Sequence, residues 1–295
     1  MIDLAGRVAQ AREALLAAGI PADEAAGDAE VLARHALQWD LTQYTVARRD
    51  PPPDGFQEKF DRLIARRVAR EPVSQIVGHR EFWGLDFEVT RDVLTPRPET
   101  ELVVQAALDV YRTDRSSAGV IVDIGTGSGC IAIALARELP SARFIASDAS
   151  LAALTVARRN AGRHGVAHRI AFLHTPLIPP ENDVDIIVSN PPYIPSRQRD
   201  SLAPEVRDYE PEIALYGGPD GLEFYRRLLN EYVPRELNCD GWLIVEVGYD
   251  QADAVKALAD PRDWEIGGSY RDLQGIERVL TFHARRRPDE EDAAE

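Results

Sequence analysis

Gly119-Val120-Ile121-Val122-Asp123-Ile124-Gly125-Thr126-Gly127-Ser128-Gly129 is the stretch whose reading decides the fold. Val120, Ile121 and Val122 form a β-branched run typical of a strand covered on both faces. The run ends at an acid and three closely spaced glycines, and Ile131 to Leu139 then follows a helical period. A strand, a tight loop and a helix in that order make the opening unit of an open α/β sheet. Glycines at 125, 127 and 129 let the backbone approach a ligand closely.

The alternation continues outward. Arg143 to Ala146 reads as a strand ending at Asp148, Leu151 to Arg163 as a helix, and Ile170 to Leu173 as a short strand. Val184 to Ser189 is a strand, Leu222 to Val233 a helix, Trp242 to Val247 a strand and Gln251 to Leu258 a helix. Glu265 to Gly268 and Arg278 to His283 close the set. This pattern predicts an α/β domain with a mostly parallel sheet and helices on both faces. Ile194 to Gly221 fits neither period; a loop that long inside a compact domain is usually functional.

Three nucleotide readings of the glycine loop compete. A phosphate-binding Walker loop needs Gly-Lys-Ser/Thr at its end, and Cys130 follows Gly129. A dinucleotide fingerprint needs its third glycine one residue later. Asp-x-Gly-x-Gly-x-Gly suits an S-adenosylmethionine loop, in which glycines pass beneath the amino-acid part of the cofactor. Asp148 ends the next strand, where a carboxylate accepts bonds from ribose hydroxyls.

Asn190-Pro191-Pro192-Tyr193 ends the strand Val184 to Ser189. Prolines bias the preceding residues toward extended backbone and lack an N–H. The Pro191 carbonyl and the Asn190 amide oxygen can therefore act as paired acceptors beside a phenol, an arrangement suited to an NH2 group. Alone, the motif is also compatible with a strand end, a proline turn and a chance Tyr. Glycine loop, strand-end acid and Asn-Pro-Pro-Tyr together make a far stronger signal than any one of them.

The N-terminal part is different. Val8, Ala11, Leu15 and Leu16 mark one helix; Ala29, Val31, Leu32 and Leu37 follow Pro21 in a second. Phe56, Phe60, Leu63, Ile64 and Val68 lie on one face of a third. His35 in this module reads as a structural histidine. Glu81 to Gly84 and Leu85 to Thr90 read as two short strands around a glycine turn, their aromatics serving packing. Pro98-Glu99-Thr100-Glu101 reads as a helix first turn, and Arg97 with Glu99 as a solvated pair or part of the mouth of the site.

Composition sets bounds. Lys plus Arg number 34 against 49 Asp plus Glu, a net charge of −15 that argues against nonspecific phosphate-backbone binding. Part of the acidic excess lies in residues 286–295, expected to be disordered. Cys130 and Cys239 have no metal-ligand spacing, so no metal is expected and a reduced cytoplasmic setting is the default. No apolar run reaches the ~20 residues that span a membrane, and no signal peptide is evident.

These motifs resemble the class I S-adenosylmethionine methyltransferases, in the branch whose Asn-Pro-Pro-Tyr methylates planar NH2 groups. Arg70-Glu71-Pro72, Gly78 to Trp83, Thr95 to Glu101, Pro204 to Pro211, Gly217 to Leu222 and Asp272 to Arg278 narrow the resemblance to the PrmC/HemK family. These are the N5-glutamine methyltransferases of peptide chain release factors. The resemblance implies methylation of the glutamine in the release factor's Gly-Gly-Gln motif, in support of translation termination, with S-adenosylmethionine as cofactor. It implies a helical domain over 1–75 that helps hold the protein substrate, a hairpin linker over 76–97 and a methyltransferase domain over 98–285. Asp123, Gly125, Thr126, Gly127, Ser128 and Gly129 would cradle the cofactor. Asp148 would hold its ribose, and Asn190 would border it. Asn190, Pro191, Pro192 and Tyr193 would hold the glutamine amide, with Asn190, Pro191 and Tyr193 in the catalytic role. Two positions depart from the family. Leu173-His174-Thr175-Pro176-Leu177 stands where many members carry an acid and an aromatic, leaving apolar contact from Pro176 or Leu177 near the adenine. Tyr216 stands where Asp is common. A monomer without direct nucleic-acid contact is expected. The rival readings are a methyltransferase of nucleic-acid exocyclic amines and a non-enzymatic release-factor or ribosome-binding module.

Overall fold

The computed structural model describes residues 2–114, 119–176, 184–232 and 237–285. Leu177 and the acidic segment 286–295 lie outside the described residues. The chain divides into two compact units, one made of Met1–His79 with Ala203–Tyr209, the other of Arg80–Leu202 with Glu210–Glu295.

The first unit is helical: α1 (Leu4–Ala17), α2 (Ala22–Leu37), α3 (Leu41–Ala47), α4 (Phe56–Val68) and α5 (Val73–Val77). Caps fix several starts. Asp3 accepts from the Gly6 N–H at 2.8 Å, and Asp40 with Gln43 forms a capping box. Leu4, Leu15, Leu32, Phe56, Phe60 and Ile64 make its core. Val31 and Val68, expected on apolar faces, are instead 38% and 39% exposed. The buried stripe of α2 runs through Ala25, Ala29, Leu32, Ala33 and Ala36, and Val31 falls off it. Arg67 is buried in this unit and bonds Asp28 at 2.7 Å and Glu205 at 2.7 Å. Arg70 holds the other Glu205 oxygen at 2.8 Å, and the Tyr209 hydroxyl donates to the Ala69 carbonyl at 2.7 Å. These bonds fasten Ala203–Tyr209 to α4 and the turn after it.

The second unit opens with a hairpin, β1 (His79–Phe82) and β2 (Leu85–Glu88), joined through Trp83 and Gly84 at φ 54° and 69°. Phe82 and Phe87 are buried against the core, so the hairpin is part of this unit's packing. A 3-10 turn, Pro98–Thr100, leads into α6 (Glu101–Asp114). There follow β3 (Val120–Ile124), α7 (Cys130–Glu138), β4 (Arg143–Asp148), α8 (Leu151–Arg163), β5 (Ile170–His174) and β6 (Val184–Ser189). After irregular chain come the helix Glu223–Arg227 and the π-helical Leu228–Tyr232, then β7 (Leu237–Glu246), the helix Ala252–Lys256, β8 (Trp264–Arg271) and β9 (Glu277–Ala284).

The seven-stranded sheet has the order β5-β4-β3-β6-β7-β9-β8. β5, β4, β3, β6 and β7 run parallel, and β9 pairs antiparallel with both β7 and β8. Side chains alternate between faces: Ile121 and Ile186 join one buried cluster with α6 and α7, while Val122 and Ile187 join the other with Tyr225 and Val255. Chain order reverses between β3 and β6, and that switch point is where such sheets leave a crevice at the strands' carboxyl ends. Among the described residues no helix is long and apolar enough to cross a membrane.

Candidate active site

The register sets Ile124 beside Ser147 of β4 and Ser189 of β6. The glycine loop, Asp148 and Asn190 therefore leave the sheet side by side. They open on a cavity of about 320 Å³ lined by Gly125, Gly127, Asp148, Pro176, Asn190, Pro192 and Tyr216, among others.

The loop is held by its own backbone. The Gly125 and Thr126 N–H groups both donate to the Ser147 carbonyl at 2.9 Å, and the Gly127 N–H donates to Asp148 Oδ2 at 2.9 Å. Gly129 sits at φ 83°, and an added Cβ would come within 2.9 Å of Ile133 Cδ1, so only glycine fits. Asp123 is buried beneath the loop. Its Oδ2 accepts from the Thr126 hydroxyl at 2.6 Å and from the Ala132 N–H at 3.3 Å, while Oδ1 is buried with no partner among the described residues. Burial pushes the Asp123 carboxyl up to about 7. Asp148 accepts a second backbone bond, from Ser150 N–H to Oδ1 at 2.8 Å, and burial raises its pKa. Asn160, fully buried on α8, ties the hairpin to the loop by donating to the Ser128 and Glu88 carbonyls at 2.9 and 3.1 Å.

At the end of β6 the Asn190 amide donates from Nδ2 to the Thr100 hydroxyl oxygen at 3.0 Å. Thr100 in turn donates to Glu246 Oε2 at 2.6 Å, and the Tyr193 hydroxyl lies 3.4 Å from Oε1 of the same carboxylate. Glu246 ends β7 and is 2% exposed; burial pushes it up to about 7. Burial likewise raises the Tyr193 phenol, so it stays protonated. Gln251 donates to the Tyr193 carbonyl at 2.9 Å. The chain after Tyr193 is bridged to a later segment: Ile194 N–H donates to the Leu215 carbonyl at 2.9 Å, and Gly217 N–H to the Ile194 carbonyl at 3.0 Å. A Cβ on Gly217 would stand 2.4 Å from the Pro192 carbonyl oxygen, so the close approach requires glycine. Tyr216 in that segment borders the cavity, with its hydroxyl buried and unpartnered among the described residues.

Of the residues expected from sequence, Gly125, Gly127, Asp148, Asn190 and Pro192 converge on the cavity. Asp123, Thr126, Ser128 and Gly129 lie behind them as the loop's support, and Pro191 is buried. Tyr193 is drawn toward Glu246. Arg97 pairs with Glu210 at 2.6 Å, a buried carboxylate that also accepts from the Thr95 N–H at 3.3 Å; it was not expected there. Thr100, Glu246, Gln251 and Asn160 were also missed. Glu246 did carry a signal: like Asp123, Asp148 and Asn190, it is a polar residue closing an apolar strand.

Residues 8–78 match the PrmC N-terminal domain family, and residues 101–205 match the methyltransferase small domain family. A release factor glutamine methyltransferase of Cereibacter sphaeroides is 44% identical over 270 residues, covering 90% of this chain and 93% of that protein. One of Geobacter sulfurreducens is 46% identical over 220 residues, covering 74% and 75%. Among solved structures, the hMettl16 catalytic domain in complex with a MAT2A 3'UTR hairpin aligns with TM-score 0.56 at 17% identity, covering 77% of this chain and 83% of that one. That likeness concerns the fold alone.

Proposed function

The chain belongs to the release factor glutamine methyltransferase family, and from that premise we propose that it methylates the side-chain amide nitrogen of the Gly-Gly-Gln glutamine of a peptide chain release factor at this cavity, with S-adenosylmethionine as donor. The observation that carries the reading is convergence: a glycine loop, a strand-end carboxylate and Asn-Pro-Pro-Tyr leave three adjacent parallel strands, and Gly125, Gly127, Asp148, Asn190 and Pro192 from them share one cavity. The residues present suit the donor. The cavity has the size of a small-molecule site, Asp148 lines it beside Gly125 and Gly127, and Asp123 Oδ1 and the Tyr216 hydroxyl are buried without partners among the described residues. Asp148 would take the ribose hydroxyls, Gly125 and Gly127 would pass under the amino-acid part, and Pro176 would give apolar contact. When bound, S-adenosylmethionine supplies a methyl group made electrophilic by its sulfonium.

A carboxamide nitrogen is a weak nucleophile, because its lone pair is delocalised into the carbonyl. The protein's part is to orient it. Asn190 Oδ1 and the Pro191 carbonyl would each accept one N–H of the substrate amide and so fix its plane. Forming the nitrogen–carbon bond would break the methyl–sulfur bond, leaving a neutral thioether, and one N–H proton would be lost to solvent; positive charge would gather on the nitrogen before that loss, so both acceptors would bind the transition state more strongly than the ground state. Tyr193, held by Glu246 and by Gln251 on its carbonyl, walls the amide.

The test is mass spectrometry of release factor after incubation with the protein and S-adenosylmethionine. A gain of one CH2 on the Gly-Gly-Gln peptide is expected. Methyl transfer to RNA or DNA in a parallel assay, with folded release factor unchanged, would refute the reading.

A further inference from the structure

We propose that Glu246 acts through Thr100 as a positioning residue, setting the direction of the hydrogen bonds so that Asn190 turns its amide oxygen, rather than its NH2, toward the substrate. The proposal rests on the amide-methylating function above. An asparagine amide is nearly symmetric in shape, so packing alone does not choose between its two orientations. Here bond polarity chooses. An ionised carboxylate only accepts. Glu246 Oε2 lies 2.6 Å from Thr100 Oγ1, so the single hydroxyl proton of Thr100 is committed to Glu246. Thr100 is left with acceptor lone pairs only. The Asn190 amide, 3.0 Å away, must present its NH2 to them, and Oδ1 is thereby turned the other way. Thr100 and Glu246 are held against alternatives: each is 2% exposed, and the Tyr225 hydroxyl fixes the Glu246 backbone carbonyl at 2.8 Å.

The same logic makes the orientation depend on charge. With Glu246 protonated, the carboxyl can donate to Thr100, which frees the Thr100 hydroxyl proton to be donated to Oδ1 of a flipped Asn190 amide. The flipped amide would point an NH2 at a substrate NH2. Burial places this carboxyl at about 7, with Glu99 adding to the rise and Arg278 and the bonds from Thr100 and Tyr193 opposing it. Tyr225 and Cys130 also face it, both held neutral by burial. An acid limb in kcat near pH 7 follows, distinct from any limb that Asp123 imposes on cofactor affinity.

The experiment measures methyl transfer to release factor under saturating cofactor and substrate for the parent, Thr100→Val, Thr100→Ser and Glu246→Gln, with cofactor affinity by calorimetry as a check of folding. Parent activity establishes the function itself, so the variants test only the relay. Thr100→Val, isosteric but without a hydroxyl, should lower kcat by about tenfold or more while cofactor affinity stays within about twofold. Thr100→Ser, which keeps the hydroxyl, should recover to within about threefold of the parent. The parent kcat should fall as pH drops below about 7, and Glu246→Gln, which cannot titrate, should lose that limb. Parent-like kcat in Thr100→Val, no recovery in Thr100→Ser, or an unchanged acid limb in Glu246→Gln would each overturn the proposal.

Discussion

Replacing Asn190 with Ala isolates the acceptor on which the chemistry turns. Among the described residues the side chain makes one hydrogen bond, Nδ2 to Thr100 at 3.0 Å. Its loss costs stability only about 1 kcal/mol, because Thr100 keeps its 2.6 Å bond to Glu246 and is not left orphaned as a donor. The cofactor side is almost untouched. The glycine loop is anchored by Ser147 and Asp148, through bonds of 2.9 Å that do not involve Asn190. The transition state is where the loss falls. In the proposed mechanism one of two acceptors facing a nitrogen that is gaining positive charge disappears from the cavity, and a preorganised polar contact of that kind is worth about 2.7–4 kcal/mol. At about 1.36 kcal/mol per factor of ten, turnover should drop by roughly 10²–10³. The assay is transfer of labelled methyl to release factor at saturating cofactor, beside calorimetric titration of the cofactor. Turnover within about fivefold of the parent, with cofactor binding intact, would refute the assignment of Asn190 as the amide's acceptor.

Asp148→Ala should weaken cofactor binding by at least about tenfold in calorimetry, because two charge-assisted acceptors are lost; an unchanged affinity would remove Asp148 from the ribose role. Tyr216→Phe deletes a buried, unpartnered hydroxyl and should leave the ligand-free melting temperature unchanged or higher while reducing the shift that cofactor produces; a lower ligand-free melting temperature would mean the hydroxyl is bonded within the fold. Arg67→Ala strands the carboxylate of Asp28, leaves Glu205 with Arg70 alone, and should cost about 3–5 kcal/mol of stability in denaturant unfolding; a loss below about 1 kcal/mol would show the pairs to be dispensable. Asp123 is held at about 7 when folded, above its ordinary 3.8, so it binds more protons folded than unfolded between those values. Its contribution is full below the unfolded value and is lost as pH rises through about 7, so the melting temperature of Asp123→Asn relative to the parent should rise between pH 4 and pH 8; a pH-independent difference would contradict this.

The parts of the site that announce themselves in the sequence are those where local chemistry and local structure coincide. Asp123, Gly125 to Gly129, Asp148 and Asn190 each sit at a strand's end, and the parallel sheet aligns such ends without further information. Thr100 and Glu246 meet across 146 positions, and Arg97 and Glu210 across 113, so no window of sequence reveals either pair. Thr100 has the character of a helix first turn, and that is also true of it; its hydroxyl serves the site because β7 delivers Glu246 beneath it. Arg97 has Glu99 as a nearer charge in the chain, yet burial of Glu210 decides the pairing. Three of the N-terminal helices, α1, α2 and α4, are legible from period, whereas the short α3 and α5 are not, and the membership of Ala203–Tyr209 in that unit depends on Glu205 finding Arg67 and Arg70, which period does not encode.

That second strip of the helical unit constrains how such a protein can be recombined. A junction placed after Gly78 would look like a clean boundary, since the matched N-terminal family ends there. It would nonetheless divide one folding unit, leaving Arg67 and Arg70 on one parent and Glu205 on the other. A chimera that exchanges the helices between relatives should keep its cooperativity of unfolding only when residues 203–209 travel with them. Shuffling at a single crossover would then be counter-selected, and the two segments should pass through evolution as one heritable module encoded in two pieces.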